Sequence, residues 1–377
     1  MKTKLLVTLA ASVLALGGLA ACSGDNNDTE KELETVKVGF HTNLGAGAGY
    51  SAKSQGFFEE EGINAEVQTG AGPALAAALV AGQIDVSFMG NGVAWNYFTS
   101  KEEIKLVALD NLTDDDRLIA TTTGKGKDLT VNSPIADLAA ALKGAKVALD
   151  MTATPATFWS GLVGEINKTF TNDADKIWYE GTDGSKLPNG LTTYNDASKV
   201  IVANIQNANL TSAMQNKEYD FCVSFAPIAS TLEKQTANFK TVARTSTHMA
   251  GNYTPSTWAV NTAWLKTHEA TFKKFMKGLV RGMNFRAANA EKTCEDVEKI
   301  TAGAVMADSL KASVDTAVWL DSTKQLEIIN NGKAMTYVNN IRNSQLAGAN
   351  KDKVAESVTA EKAANFSYLK EACEAIK

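Results

Sequence analysis

The chain has 377 residues, 44% hydrophobic and 21% charged, with a formal net charge of −5 at pH 7. That length can bury large cores and favours two lobes over one. The acidic balance, with no Lys/Arg stripe interleaved with aromatics, offers a phosphate backbone nothing to grip and excludes nucleic acid as a partner.

The N-terminus places Lys2 and Lys4 before an apolar run from Leu5 to Leu16. This run is too short to span a bilayer as a mature helix but has the length of the apolar core of an export signal. It ends in Leu19-Ala20-Ala21-Cys22, which resembles a bacterial lipoprotein signal. The resemblance implies removal of residues 1–21 and a lipid on the Cys22 thiol; an ordinary secretory signal is the alternative. Residues 22–35 are polar and Gly/Asn/Asp-rich, unable to repay their own ordering entropy, and read as a flexible tether.

Beyond the tether, strands and helices alternate. Val36 to Phe40 predicts a strand, Ala48 to Glu61 a helix, Ile63 to Gln68 a strand, Leu75 to Val80 a helix and Ile84 to Met89 a strand. A βαβαβ run of this kind implies a mostly parallel sheet with helices on its faces. A second run starts at Lys146-Val147-Ala148-Leu149. It continues through a helix with Phe158, Leu162, Ile166 and Phe170 at four-residue spacing and reaches a strand at Phe221 to Phe225. Ala78 to Val86 aligns without gaps with Ala213 to Phe221, each a helix end, a tight turn and a strand led by Asp85 or Asp220.

The expected class is therefore α/β with two similar lobes. Lobe 1 comprises residues 36–122 and 246–377 and lobe 2 residues 123–245. Ile104 to Thr123 carries the chain across and Val242 to Thr262 carries it back. From Ala263 the pattern is helical, including Val318-Trp319-Leu320, and these helices are expected on the first lobe. Gly181 to Ser198 reads as a long inserted loop. Cys222 reads as a buried inert thiol. Cys294 and Cys373, on two late helices of an exported chain, are a candidate disulfide. With His41, His248 and His268 scattered and no CxxC, no metal site is expected.

Open parallel sheets bind ligands outside the carboxyl ends of their strands. Three successive strand ends here carry small-residue corners: His41-Thr42-Asn43-Leu44-Gly45-Ala46-Gly47-Ala48-Gly49, Gly70-Ala71-Gly72-Pro73-Ala74 and Met89-Gly90-Asn91-Gly92. The first fails the G-x-G-x-x-G spacing, and no acidic residue stands at the ribose position, so no nucleotide cofactor is expected. Backbone N–H groups approaching a small ligand account for the glycines equally well. In the second run, Ala148-Leu149-Asp150-Met151-Thr152-Ala153-Thr154-Pro155 joins a strand to a helix, with Thr154 expected as N-cap and Pro155 at the first helical position. The N–H groups of Ala156 and Thr157, with the hydroxyls of Thr152 and Thr154, would then face the strand end and favour negative charge.

Gln55-Gly56-Phe57-Phe58-Glu59-Glu60-Glu61-Gly62-Ile63, Ala81-Gly82-Gln83-Ile84-Asp85-Val86 and Lys143-Gly144-Ala145-Lys146-Val147-Ala148 appear in that order. The set resembles the substrate-binding lipoproteins of bacterial ABC importers, in the branch of nitrate, sulfonate, taurine and thiamine-pyrimidine-precursor binders, over roughly Val36 to Ala290. The resemblance implies a two-lobed periplasmic-binding-protein fold of type II kind, without enzymatic activity. It implies a monomer that captures a small solute between its lobes and delivers it to a membrane permease and, indirectly, its ATPase. By position the family's ligand contacts fall on His41, Asn43, Gly45, Gly72, Gly90, Asn91, Thr152, Ala153, Thr154 and Phe225-Ala226-Pro227. Family members often carry Gly-Thr-Ser/Thr where this chain has Met151-Thr152-Ala153-Thr154, and Trp-Glu-Pro where it has Phe225-Ala226-Pro227.

Asp150 complicates an anion site, because an acid repels a bare anion unless it points away or pairs with a cationic end of the ligand. Pointing in, it favours a zwitterion such as an aminosulfonate, or an amino-bearing heterocycle such as a pyrimidine vitamin precursor, over nitrate or a simple alkanesulfonate. Trp95, Trp159, Phe225 and Trp258 are candidate apolar walls. An enzyme on the same scaffold would have only His41 and Asp150 to work with. A surface adhesin would need repeats or an exposed apolar face that the sequence does not show.

Overall fold

Apolar alternation and helical spacing build the first run much as read. It comprises β1 (Glu34–His41), α1 (Gly47–Ser54), α2 (Phe57–Glu60), β2 (Ile63–Gly70), α3 (Gly72–Val80), β3 (Val86–Gly90) and α4 (Asn91–Trp95). The helix expected over Ala48 to Glu61 is broken at Gly56, whose left-handed φ of 78° suits glycine. The computed structural model describes residues 33–376 except 100–101, 115, 189, 250–253 and 348–350. The 1–21 signal, Cys22 and most of the 22–35 tether lie outside the described residues.

After β4 (Ile104–Thr113) come β5 (Arg117–Thr121), α5 (Ile135–Leu142), β6 (Lys146–Leu149), α6 (Thr154–Lys168), β7 (Tyr179–Glu180), β8 (Lys186–Leu187), β9 (Ile201–Asn204), α7 (Asn207–Gln215), β10 (Phe221–Ser224), α8 (Ile228–Glu233), β11 (Phe239–Arg244) and α9 (Thr245–His248). The return passes through β12 (Thr254–Asn261), α10 (Thr262–Thr267), α11 (Glu269–Ala288), α12 (Ala290–Ile300), α13 (Ala307–Leu310), β13 (Ala317–Trp319), α14 (Ser322–Asn330), α15 (Lys333–Ala347), α16 (Ala360–Ala363) and α17 (Ser367–Ala375). Among the described residues no helix is long and apolar enough to cross a membrane.

The strands form a six-stranded sheet, β13-β4-β12-β3-β1-β2, and a five-stranded sheet, β11-β5-β10-β6-β9. The parallel cores are β2-β1-β3 and β9-β6-β10, and the crossing strands add antiparallel pairs. Both sheets are therefore mixed rather than mostly parallel. Because β5 pairs with β10, the chain changes sheets between Thr113 and Arg117, before the 122/123 boundary expected; it returns between β11 and β12.

The two parallel cores repeat one device. Asp85 donates its N–H to Lys37 O at 2.8 Å and accepts the Lys37 N–H at Oδ2 at 2.8 Å. Asp220 does the same with Lys146, at 2.9 and 3.0 Å. Each aspartate thus closes a ring on the neighbouring strand and sets its register, which is why the two segments align in sequence.

Two expectations from the C-terminal half change. Residues 317–319 are not helical: β13 adds to the edge of the first sheet beside β4. Cys294 and Cys373 are buried thiols rather than a disulfide. Both pack into one apolar cluster with Phe272, Leu279 and Leu369, and the Cys294 thiol donates to Ala290 O within its own helix. The 181–198 segment holds the turn and second strand of the β7–β8 hairpin and a short turn at Asp196–Ser198.

Because Asp85 and Asp220 each make a two-bond ring, Asp85→Ala and Asp220→Ala should each lower unfolding stability in urea by about 1 kcal/mol. A variant as stable as the parent would show that the ring does not hold the register.

Candidate functional site

A cavity of about 410 Å³ opens where the strand ends of the two sheets face each other, within the range of small-molecule sites. His41, Asn43, Gly45, Gly72, Gly90, Asp150, Thr152, Ala153, Thr154 and Phe225 line it. Asn91 and Trp258, also expected there, do not. Asn91 is fully buried at the start of α4, and neither atom of its amide has a hydrogen-bond partner among the described residues. Trp258 is enclosed by Phe40 and Phe88, with ring centroids 5.7 Å away in each case. Its indole N–H donates to Asp110 Oδ2 at 2.6 Å. Trp95 and Trp159 are likewise core residues with no exposure.

The glycines of the first corner divide by role. Gly45 lines the cavity, but a Cβ at Gly49 would lie 2.6 Å from Trp258, and one at Gly47 2.6 Å from Thr293. These two glycines serve close helix packing rather than ligand approach.

The second-lobe corner is built differently from the simple cap expected. Helix α6 starts at Thr154, with Ala153 as its cap and Pro155 in the first turn. The Ala156 N–H is taken by Ala153 O at 3.1 Å. The Thr152 hydroxyl does not point to a ligand: it donates to Asp150 Oδ1 at 2.6 Å, beside the Thr152 N–H at 3.0 Å. Asp150 Oδ2 accepts the Asn207 N–H at 3.2 Å, at the first turn of α7. Asp150 therefore lines the cavity while its carboxylate holds its own corner and caps α7. The starts of α3 and α6, one from each lobe, have no side-chain cap and open onto the cavity.

Several lining residues escaped the sequence reading: Asn111, Thr113, Asp116, Ser256, Ser313 and Trp319 among them. Asn111 and Ser256 lie opposite one another on β4 and β12, and Ser256 lies opposite Gly90 on β3. An antiparallel neighbour brings its own start or end to the carboxyl end of a parallel strand, a consequence visible only once the pairing is known. Trp319 comes from β13, where a helix was expected.

Two carboxylates, Asp116 and Asp150, line the cavity, and among the described lining residues there is no lysine or arginine. The one imidazole is neutral: burial holds His41 below the ordinary histidine pKa, opposed by a smaller effect of the Asn43 side chain. His41 lies 6.4 Å from the rings of both Phe88 and Phe225, and with Trp319 these form an aromatic lining.

Behind the cavity the lobes touch closely. Thr154 stands 3.2 Å from where a Cβ on Gly90 would lie, and Thr157 Oγ1 only 2.1 Å from one on Gly92. Gln345 of α15 donates to the same Thr157 hydroxyl. First-lobe elements α4 and α15 thus close on the first turns of α6.

No protein-family model matches this sequence, and no curated protein matches it. Solved structures do match in fold. The alkanesulfonate-binding protein SsuA from Xanthomonas axonopodis pv. citri, bound to MOPS, is 12% identical, with a TM-score of 0.59 over 88% of this chain and 98% of that one. The periplasmic nitrate-binding protein NrtA from Synechocystis PCC 6803 is 13% identical, with a TM-score of 0.53 over 92% and 99%. The desulfurization enzyme DszB is 12% identical, with a TM-score of 0.58 over 91% and 100%. The chain has the two-lobed periplasmic-binding-protein fold, and its structural neighbours include the sulfonate and nitrate binders whose branch its motifs resemble.

Two outcomes are expected. Since His41 is held neutral, the unfolded chain protonates it first as pH falls. Its contribution is complete above about pH 6.5 and is lost as pH drops below that value. Melting curves from pH 7 to 5 should therefore fall less steeply for His41→Gln; parallel curves would contradict this. Gly92→Ala should cost about 1–3 kcal/mol of stability, partly recovered in the double variant with Thr157→Ala. Absence of recovery would place the clash elsewhere.

Proposed function

We propose that this protein is the solute receptor of an ABC-type importer and that its solute is a small zwitterion of the aminosulfonate kind. The observation that carries this is the charge of the cavity between the lobes: two carboxylates, a neutral imidazole and two uncapped helix starts, with no lysine or arginine among the described lining residues. Helix starts favour an anionic group at the α3 and α6 side by roughly 0.3–1 kcal/mol each. The carboxylates disfavour a bare anion and favour a solute that also carries an amine. MOPS, the molecule bound to the SsuA of Xanthomonas, itself joins a sulfonate to a tertiary amine.

The ligand-contact role of the ten lining residues belongs to this reading. So do the lobe division, action as a monomer, delivery to a membrane permease, and a lipid tether through Cys22. An amino-bearing heterocycle is the second reading, favoured by the aromatic lining of His41, Phe88, Phe225 and Trp319. DszB shows that an enzyme can have this fold.

Calorimetry with taurine, 1-propanesulfonate, nitrate and an aminopyrimidine tests the proposal. One-to-one binding of taurine or the aminopyrimidine, at least about tenfold tighter than nitrate or propanesulfonate, is expected, with the ligand recovered unchanged. Preference for nitrate or propanesulfonate, or consumption of the ligand, would overturn it.

A further inference from the structure

At the back of the cavity, Asn111 is only 1% exposed, yet it lines the site. Its side-chain hydrogen bonds both run from Nδ2, to Gly45 O at 3.3 Å and to Asp110 Oδ1 at 2.9 Å. Both partners are acceptors, so chemistry alone requires the amide nitrogen on that side and the amide oxygen on the other. Asp110 cannot turn to relax this demand. It is fully buried and ion-paired with the equally buried Arg286, which also donates to Asp110 O and Gly45 O at 2.9 Å each. Its second oxygen is held by Trp258.

We propose that Asn111 is a specificity residue of the cavity, locked by the Arg286–Asp110 pair so that Oδ1 is the atom left for the solute, where it accepts a hydrogen from a solute N–H. This deepens the importer-receptor reading and rests on it. Arg286, on α11, does not line the cavity; it is a positioning residue that acts through Asp110 and Gly45. The guanidinium also lies 4.6 Å from the Trp319 ring centroid, so the same cation supports a second lining residue. An amine meets an acceptor at Asn111, whereas an oxyanion there would face another oxygen. A site built to hold a hydrogen donor rejects an analogue that lacks one.

The test has two arms. In ligand-free protein, the Asn111 side-chain NH₂ signals should exchange with water far more slowly than those of an exposed asparagine, and Asp110→Asn should remove that protection; fast exchange in the parent overturns the locked orientation. In the second arm, taurine and 1-propanesulfonate, probes differing in the terminal amine, are titrated into the parent and variants. Asn111→Leu should weaken taurine by about tenfold or more while leaving propanesulfonate within about twofold. Asn111→Ala, which removes Oδ1 without adding bulk and leaves the Arg286–Asp110 pair in place, should shrink the same discrimination if Asn111→Leu does not fold. Undiminished discrimination in a folded variant overturns the proposal. A parent that binds neither probe overturns the aminosulfonate reading, and the exchange arm still decides the orientation of Asn111.

Discussion

A guanidinium and a carboxylate without solvent exposure meet in the first lobe, and much of the binding face hangs on them. Two buried charges are tolerable only when paired and surrounded by further hydrogen bonds; removing one partner of such a pair typically costs about 3–5 kcal/mol. Arg286 and Asp110 meet that condition through Gly45 O, Asp110 O, the Trp258 indole and the Asn111 amide. Helix α11, strands β4 and β12 and the first corner are thereby tied at one point. The pair adds no charge to the cavity, but it fixes where the groups that reach the cavity point.

The second lobe achieves the same end with an unpaired acid. Asp150 stands at a strand end where a solute binds in this fold, and its carboxylate is occupied by Thr152 and the start of α7. Both lobes thus use a carboxylate to organise a corner, and each also has a helix start without a side-chain cap, α3 in one and α6 in the other. The close approach of Thr157 to Gly92 and Gln345 ties the first turns of α6 to α4 and α15.

How much of this was legible followed from the range of each signal. Corners at parallel strand ends are local, so His41, Asn43, Gly72, Gly90 and the 150–154 turn could be placed from the chain alone. The Asp85 and Asp220 repeat was legible because each ring is built from short segments with the same turn and strand. Asn111, Ser256 and Trp319 were not, since their positions depend on antiparallel pairing between segments far apart in sequence. Trp258 was misplaced because nothing local shows that Asp110 claims its indole N–H. Thr152 was read as a ligand donor for a similar reason: a hydroxyl two residues after an aspartate can turn back to it, as an Asx-type corner does. Cys294 and Cys373 shared a region but not a bond, because helix position alone leaves the direction of each thiol open.

The charge of the cavity is the central claim, and the small molecule carried by the natively purified protein tests it most directly. Mass spectrometry of what denaturation releases should show an equimolar solute bearing an amino group, with or without a sulfonate. Release of nitrate or an amine-free sulfonate would contradict the account, because neither brings a positive charge to a cavity lined by carboxylates with no lysine or arginine among its described lining residues.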